Sequence, residues 1–355
     1  MIYFRADANE NIGLGHTMRC LALADGFRAL GHECTFIIAS DSKSDGIIEK
    51  RGYSVQRLNN GYLKMAEETE ELSKILSDSE VIYIVDSYFV PDGYYEKVKE
   101  IIGSRGATVC FDDEIIKAFP TDGLINYNLY ANEESYEELY KASGLKLPKL
   151  YLGGAYIPIR TDVEELPGEL VISRKDENEK HVLLSCGGAD PEGVAVKFLR
   201  FLKENPTGVG KFVFHIPIGA VNAAAEEIRS LAGDLPRVRL YGHIAQFRAF
   251  MRQMDYAIAA AGSTLYELCM EGIPTVTYIL ADNQREIALK FHMMDLMTYA
   301  GDCREYSGFV WDLLESLEDL DGRTDLEELK VKMKNTVDGQ GAKRLAEVLL
   351  KDIRG

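Results

Sequence analysis

Three side chains near the start of the chain could together move a proton and bind an anion: Asp7, His16 and Arg19. The imidazole of His16 can act as a general base that removes a proton from water. Asp7 could hold the other ring nitrogen and stabilise the imidazolium that forms, or it could brace the turn between them. Arg19 follows one helical turn after His16, so it could meet a phosphate or pair with Asp7 or Asp41.

A strand, a glycine turn and a helix must position these side chains. Residues 2–4 are apolar with β propensity, and apolar residues recur at helical spacing from Cys20 onward. His16 is therefore expected at the start of a helix, at the carboxyl end of a strand, where ligands bind in open α/β sheets. Gly13 and Gly15 let a ligand approach the backbone closely. A dinucleotide fingerprint is disfavoured, because its third glycine would fall at Met18.

Further polar residues follow two buried strands in the first half. The apolar run 81–85 ends in Asp86 and Tyr88, which are expected to face the same edge of the sheet as His16. Tyr88 could donate its hydroxyl to a sugar or to water, or simply pack beside an Asx-type turn. The acidic run 112–114 could bind Mg²⁺ or could cap a helix.

The second half repeats the design of strand, glycine turn and helix. The strand at 181–185 leads into Gly187, Gly188 and Asp190, which together predict a phosphate cradle.

A later helix start carries a glycine and hydroxyl groups that suit pyrophosphate oxygens, namely Gly262, Ser263 and Thr264. Glu267 could bind ribose hydroxyls, although Thr264 and Glu267 also have the spacing of a capping box. Asn283 and Gln284 begin the next helix, where they could hydrogen-bond a sugar or cap the helix.

Composition narrows the class of protein. The chain has 355 residues and a net charge of −17, which argues against binding to nucleic acid or to an anionic membrane. The six cysteines form no CxxC pair and no cluster with histidine, so neither zinc nor a disulfide framework is expected. We find no secretory leader and no apolar run long enough to span a bilayer. A cytoplasmic protein is expected.

Strands that are apolar throughout alternate with helices in both halves, which predicts two parallel α/β domains. We expect an N-terminal Rossmann-like domain at 1–160, a C-terminal Rossmann-like domain at 161–320 and a helical tail at 321–355. A polar, charged segment without periodicity places the boundary between the domains within 155–180.

Taken together, the motifs resemble one family. They are Arg5-Ala-Asp7, Gly13-Leu-Gly15-His16-Thr-Met-Arg19, Val85-Asp86-Ser87-Tyr88, Asp112-Asp113-Glu114, Gly187-Gly188-Ala189-Asp190, Gly262-Ser263-Thr264 with Glu267, and Asn283-Gln284. In order and spacing the chain resembles the UDP-sugar hydrolases of the pseudaminic acid pathway and their spore-coat polysaccharide relatives. The resemblance implies the GT-B architecture, in which two Rossmann-like domains face each other across a cleft.

The same resemblance implies an activity. UDP would rest on the C-terminal domain, with His16 as the catalytic base and Tyr88 near the reacting water. The expected reaction is hydrolysis of a UDP-activated diacetamido-trideoxyhexose with inversion at C1 and without a cofactor or metal. A GT-B glycosyltransferase that uses a soluble acceptor and a noncatalytic nucleotide-sugar-binding protein are the alternatives. The oligomeric state and the exact sugar stay open.

Overall fold

The computed structural model of the protein describes residues 1–10, 12–161, 165–174, 176, 178–205, 210–219, 222–242, 244–305 and 308–354. The chain forms two compact units, the first comprising Met1–Thr161 with Gly339–Gly355 and the second Asp162–Asp338. The tail expected at 321–355 is thus divided between the two units. The expected boundary region, 155–180, includes residues 162–164, 175 and 177, which lie outside the described residues.

The first unit is built on a seven-stranded sheet whose strands pair in parallel. The strands are β1 Ile2–Ala6, β2 Cys34–Ile38, β3 Ser54–Arg57, β4 Val81–Asp86, β5 Gly106–Phe111, β6 Gly123–Asn126 and β7 Lys149–Leu152. Their order across the sheet is β3-β2-β1-β4-β5-β6-β7. β1, β2 and β4 are buried along their whole length, as parallel strands covered on both faces must be.

Helices connect these strands. They are α1 Gly15–Ala29, α2 Asp45–Lys50, α3 Thr69–Ile75, α4 Tyr94–Ile102 and α5 Glu133–Ser143, with 3₁₀ turns at Tyr62–Glu67, Gly103–Arg105 and Gly154–Tyr156. α1 buries its apolar stripe, including Leu21, Leu23 and Phe27, against the sheet and its neighbours.

The second unit repeats the plan with a six-stranded parallel sheet. Its strands are β8 Lys180–Ser185, β9 Phe212–Pro217, β10 Val238–Tyr241, β11 Tyr256–Ala260, β12 Thr275–Ile279 and β13 Thr298–Asp302, in the order β10-β9-β8-β11-β12-β13. The helices are α6 Val194–Glu204, α7 Ala225–Ala232, α8 Phe247–Met251, α9 Thr264–Glu271, α10 Arg285–Met293, α11 Phe309–Asp321 and α12 Leu326–Thr336, with 3₁₀ turns at Gly168–Leu170 and Asp282–Gln284.

The last helix, α13 Gly341–Arg354, packs on α1 of the first unit. The contact is close at Gly26, where a Cβ would lie 2.5 Å from the carbonyl oxygen of Ala342. The stretch 321–355, expected as a helical tail, contains two helices, α12 and α13. Gly339, with a φ of +73°, lies between them, because that backbone conformation cannot continue a right-handed helix.

Two further findings bear on the expected environment of the protein. No helix in the described ranges is both long and apolar enough to cross a membrane. All six cysteines are buried free thiols.

Candidate active site

The first candidate site lies at the carboxyl edge of the sheet in the first unit. β1 and β4 are neighbours, and from them the chain continues to opposite sides, with β2 beside β1 and β5 beside β4. Such a switch point leaves a crevice at the carboxyl ends of the strands, where ligands bind in open α/β sheets. His16 lies in the first turn of α1, and Asp86 ends β4 in register with Ala6 of β1. The two side chains therefore meet at this edge.

His16 and Asp86 form a short, buried pair. Nδ1 of His16 lies 2.6 Å from Oδ1 of Asp86, and the side chains are 7% and 1% exposed. Burial acts to raise the pKa of Asp86, but Arg19 and His16 outweigh it and hold the pKa well below its usual range. Because a carboxylate only accepts hydrogen bonds, Nδ1 carries the hydrogen of the neutral ring. Nε2 therefore has the lone pair that can take a proton.

Asp7 does not hold the ring of His16, so this prediction is corrected. Oδ2 of Asp7 accepts a hydrogen bond from Nη1 of Arg5 at 2.5 Å, and Oδ1 accepts one from the N–H of Ala39 at 2.7 Å. Asp86 takes the predicted role because strand pairing places the end of β4 beside the start of α1. Asp7 instead braces the loop after β1, which was the alternative prediction.

Arg19 binds two carboxylates of its own unit. Nε and Nη2 each lie 2.5 Å from an oxygen of Asp86, and Nη1 lies 2.9 and 2.8 Å from the two oxygens of Asp113. Nη1 also donates to the hydroxyl of Tyr127 at 3.0 Å, and the guanidinium lies over the Phe111 ring. All three guanidinium nitrogens thus have partners within the protein. The two carboxylates are Asp86 and Asp113, and not Asp7 or Asp41 as the sequence suggested. Contact of Arg19 with a phosphate stays a prediction, and the function proposed below does not rely on it.

Tyr88 contacts both His16 and Asp113. The ring centroids of His16 and Tyr88 are 4.7 Å apart, with an interplanar angle of 78°. The Tyr88 hydroxyl donates to Oδ2 of Asp113 at 2.9 Å. Burial and the neighbouring Asp113 carboxylate raise the pKa of Tyr88 far above its ordinary value. The residue is 51% exposed, so it can meet a ligand beside His16.

The acidic run after β5 is held by protein donors. Oδ1 of Asp112 accepts hydrogen bonds from the N–H groups of Glu114 and Ile115, and Oδ2 accepts one from Tyr136. Burial raises the pKa of Asp112. Over the residues that the structure describes, no group of three or more His, Cys, Asp or Glu side chains is arranged to hold a metal ion. Asp112 fixes its own turn, as in the capping alternative.

Gly13 and Gly15 lie exposed in the turn that leads into α1. Gly13 has a φ of +76°, which glycine adopts without strain, and its N–H donates to the carbonyl of Asn9. A Cβ at either glycine would meet no atom within 4 Å. The turn therefore leaves open space beside the first turn of α1, and contact with a ligand there stays a prediction.

The second candidate site lies at the corresponding edge of the second unit. β8 and β11 are neighbours with β9 and β12 on their outer sides, so this sheet also has a switch point. Gly187 and Gly188 follow β8, and Gly262 follows β11. Gly187 has a φ of +75°, and a Cβ at Gly187 or Gly188 would meet nothing within 4 Å. The predicted glycine turns thus come together at adjacent strand ends.

Asp190 caps a helix. Its Oδ1 accepts a hydrogen bond from the N–H of Val194 at 2.8 Å, and Oδ2 accepts one from Ala195 at 3.0 Å. Both bonds satisfy free N–H groups at the start of α6. Each oxygen can accept a further hydrogen bond, so contact of Asp190 with the substrate stays a prediction.

The start of α9 is not closed by a capping box. The helix begins at Thr264, its cap residue is Ser263, and no side chain accepts a hydrogen bond at the cap. Within the described part of the chain, the Glu267 carboxylate has no hydrogen-bonding partner. Burial, with a contribution from Glu271, raises the pKa of Glu267 to about 7, although Arg248 opposes the shift. At the first turn of α9 the N–H groups of Leu265 and Tyr266 donate to the carbonyls of Gly262 and Ser263. The N–H groups that precede Leu265 and the Glu267 carboxylate are therefore the candidate ligand contacts of this helix start.

Asn283 and Gln284 follow β12, next along the same edge. Oε1 of Gln284 accepts a hydrogen bond from the N–H of Leu280 at 2.9 Å. Its Nε2 would lie 3.9 Å from a Cβ at Gly262, so Gln284 and the start of α9 are adjacent. Asn283 is exposed. Both remain candidate ligand contacts.

Sequence reasoning missed part of the first site. Asp113, Tyr127 and Asn128 join His16 and Asp86 through Arg19, and Asn128 donates to Asp113 at 3.2 Å. One signal was present, because these residues follow the carboxyl ends of consecutive buried strands. The order of the strands in the sheet, which brings these residues together, cannot be derived from the sequence alone.

Comparisons with known proteins find relatives that match most of this chain at low identity. No family model matches the chain. It is 24% identical to the UDP-2,4-diacetamido-2,4,6-trideoxy-beta-L-altropyranose hydrolase of Campylobacter jejuni, over 75% of this chain and 86% of that protein. It is 22% identical to the spore coat polysaccharide biosynthesis protein SpsG of Bacillus subtilis, over 81% of this chain and 79% of that protein.

A third relative is an uncharacterized protein of Methanocaldococcus jannaschii, 22% identical over 79% of this chain. The match covers 56% of that protein, so the chain spans little more than half of its length.

Solved structures define the fold. The chain superposes on MurG of Acinetobacter baumannii with a TM-score of 0.65 at 13% identity, covering 99% of both chains. The glycotransferase of kitacinnamycin gives a TM-score of 0.65 at 13% identity, covering 99% of this chain and 98% of that one. The chain has the GT-B fold of glycosyltransferases, with two parallel α/β units and a helical C-terminal segment, and the predicted fold class is confirmed.

Proposed function

We propose that this protein hydrolyses a UDP-activated diacetamido-trideoxyhexose to the free sugar and UDP. The reaction would serve the biosynthesis of a nonulosonic acid of the pseudaminic type or of a surface polysaccharide. We also propose a cytoplasmic location, for which the six free thiols are suited. The observation that supports the proposal is the buried His16–Asp86 pair at a sheet switch point, because a hydrogen on Nδ1 leaves the lone pair of Nε2 able to take a proton. The similarity to the hydrolase of Campylobacter jejuni supports the choice of substrate.

In this proposal water attacks C1 of the sugar from the face opposite UDP. The water oxygen forms a bond to C1 while the bond between C1 and the phosphate oxygen breaks. The electron pair of the broken bond leaves with UDP, and a proton of the water passes to Nε2 of His16. Asp86 stabilises the imidazolium that forms, and the configuration at C1 inverts.

The second unit is proposed to hold the nucleotide. The N–H groups that precede Leu265 at the start of α9, where no side chain caps the helix, and the glycine turns at Gly187 and Gly188 would meet the diphosphate. As the bond to C1 breaks, negative charge grows on that diphosphate, and helix N-termini would stabilise it. Glu267 would accept hydrogen bonds from the ribose hydroxyls.

The proposal is tested with a panel of UDP-diacetamido-trideoxyhexoses and mass spectrometry of the products. The wild-type protein alone should release free sugar and UDP in equal amounts. His16→Asn and His16→Phe should lower turnover by at least about 10²-fold, the usual scale for a lost general base, while UDP still binds. His292→Asn, a change at an exposed histidine of α10, is the matched control and should leave turnover unchanged.

The second candidate function is transfer of the sugar to a soluble acceptor. It is favoured by solved structures with this fold that are named as glycosyltransferases, such as the glycotransferase of kitacinnamycin and the spinosyn rhamnosyltransferase SpnG. A transferase would leave the UDP-sugar largely intact until an acceptor is added. Recovery of unaltered UDP-sugar after long incubation, with or without acceptors, would instead indicate a noncatalytic binding protein.

A further inference from the structure

Two side chains at the first site have their hydrogens engaged on the protein. The Tyr88 hydroxyl donates to Asp113, and Nδ1 of His16 donates to Asp86. The remaining polar atoms, the Tyr88 oxygen and Nε2 of His16, can therefore only accept a hydrogen bond from a ligand while the ring is neutral. The two rings are in edge-to-face contact, with centroids 4.7 Å apart. The structure thus presents two neighbouring acceptors, the Tyr88 oxygen and Nε2 of His16.

Asp113 fixes the direction of the Tyr88 hydrogen bond. Both of its carboxylate oxygens accept from Nη1 of Arg19, and Oδ1 also accepts from Asn128. In this ion pair the carboxylate has no hydrogen to give, so Tyr88 must be the donor. The hydroxyl of Tyr130 donates to the Asp113 carbonyl, which holds the backbone as well.

The turn that carries Asp113 has a strained backbone and is held by hydrogen bonds. Ile115 has a φ of +56°, in the left-handed region that a β-branched residue rarely adopts. Its N–H and that of Glu114 are held by the buried Asp112 carboxylate. These hydrogen bonds hold the loop in the arrangement in which Asp113 reaches Tyr88.

We propose that Asp113 is a positioning residue that makes Tyr88 an acceptor, so that His16 and Tyr88 together select water over an alcohol as the nucleophile. The inference rests on the proposed function. Water has two hydrogens, one for Nε2 of His16 and one for the Tyr88 oxygen. An alcohol has one, so it would leave one acceptor unpaired. In the step itself the water oxygen forms a bond to C1 while the bond between C1 and the phosphate oxygen breaks, and UDP leaves with the electron pair of that bond. One proton of the water passes to Nε2 of His16, and the other stays on the new hydroxyl group at C1.

The test is the partition of products in buffer that contains methanol. The ratio of methyl glycoside to free sugar is measured by NMR for each variant. It is internal to the active enzyme, so changes in the folded fraction or in total turnover do not move it. Wild type should give almost only free sugar. Tyr88→Phe should raise the ratio by about tenfold or more, because the second acceptor is gone and an alcohol loses no hydrogen bond there.

Asp113→Ala should raise the ratio as well, because the Tyr88 hydroxyl is then free to donate to an alcohol oxygen. In the double variant with Tyr88→Phe the ratio should equal that of Tyr88→Phe alone. Tyr62→Phe, a tyrosine that packs on Phe89, is the control and should keep the wild-type ratio. An unchanged ratio in Tyr88→Phe, or an additive effect in the double variant, overturns the inference. Absence of hydrolysis by wild type overturns the proposed function itself, and this inference with it.

Discussion

The Asp86 carboxylate orients two partners at once, the ring of His16 and the guanidinium of Arg19. Asp86→Asn would replace one acceptor oxygen with an amide donor, which would allow Nδ1 to lose its hydrogen and leave Nε2 protonated in the neutral ring. We expect kcat to fall by about 10²- to 10⁴-fold with a small change in KM, because in our proposal Asp86 acts through His16 and not on the substrate.

Steady-state release of UDP measures this effect, and circular dichroism checks the fold. Asp92→Asn is the matched control, since Asp92 is 95% exposed and pairs with Lys117. If kcat and KM changed by the same factor, or if kcat did not change, Asp86 would serve only to hold Arg19.

Glu267 predicts a pH dependence of nucleotide binding. Burial raises its pKa to about 7, so the carboxylate form grows as the pH rises through neutrality. Ribose hydroxyls donate to that form. The affinity for uridine should therefore increase from about pH 6 to about pH 8, by at most about tenfold per unit, because one proton is released.

Calorimetry with uridine measures this dependence without a phosphate group that titrates in the same range. In Glu267→Gln the affinity should be lower and nearly level with pH. A slope that persists in Glu267→Gln would assign the titration to another group.

At the residue scale, the sequence identified candidate functional residues better than it identified the side chains that they contact. His16 and Tyr88 could be selected because their neighbours place them at strand ends, and the structure brings their rings together. The partner of His16 could not be identified. Asp7 is near in sequence, whereas Asp86 is near only because β1 pairs with β4, and a single sequence carries no such pairing. The same holds for Asp113, which reaches Arg19 from the next strand.

At the scale of elements, α13 depends on a close approach to α1. A Cβ at Gly26 would lie 2.5 Å from the carbonyl oxygen of Ala342, so Gly26→Ala must push the helices apart. We expect the free energy of unfolding to fall by about 1–3 kcal/mol, the usual cost of overpacking, as measured by chemical denaturation.

Gly46→Ala in α2 is the matched control. Gly46 is exposed, and a Cβ there would meet no atom within 4 Å. This change should be neutral or stabilise the protein by about 0.5–1 kcal/mol, because alanine is the better helix former. If both variants behaved alike, the helix contact would contribute little to stability.

Periodicity predicted most of the buried strands and the first helix, but elements with polar surfaces were missed. α5 carries its buried residues, Tyr136 and Tyr140, within a strongly acidic stretch, so its apolar stripe is narrow. A cap was present, since Asn132 accepts a hydrogen bond from the N–H of Ser135. β13 is only partly buried along most of its length and has little apolar signal. Packing against neighbours, not local pattern, determines such elements.

At the scale of the whole molecule, the net charge of −17 opposes an anionic ligand. In our proposal UDP is met by helix N-termini and glycine turns, whose partial charges act only at short range. Long-range approach of UDP to the protein is then repulsive, and salt should screen that repulsion. The association rate constant for UDP should rise a few-fold as ionic strength increases from about 0.02 to about 0.2 M, while dissociation changes little.

Stopped-flow fluorescence with a labelled UDP measures the rate, and labelled uridine, which has no phosphate charge, should show no such increase. A site lined by unpaired arginines would behave in the opposite way, because salt would weaken a long-range attraction. A rate constant that falls with salt would therefore mean that cationic side chains, not backbone N–H groups, capture the diphosphate. Since Arg19 is already held by Asp86 and Asp113, those cations would have to come from elsewhere in the chain.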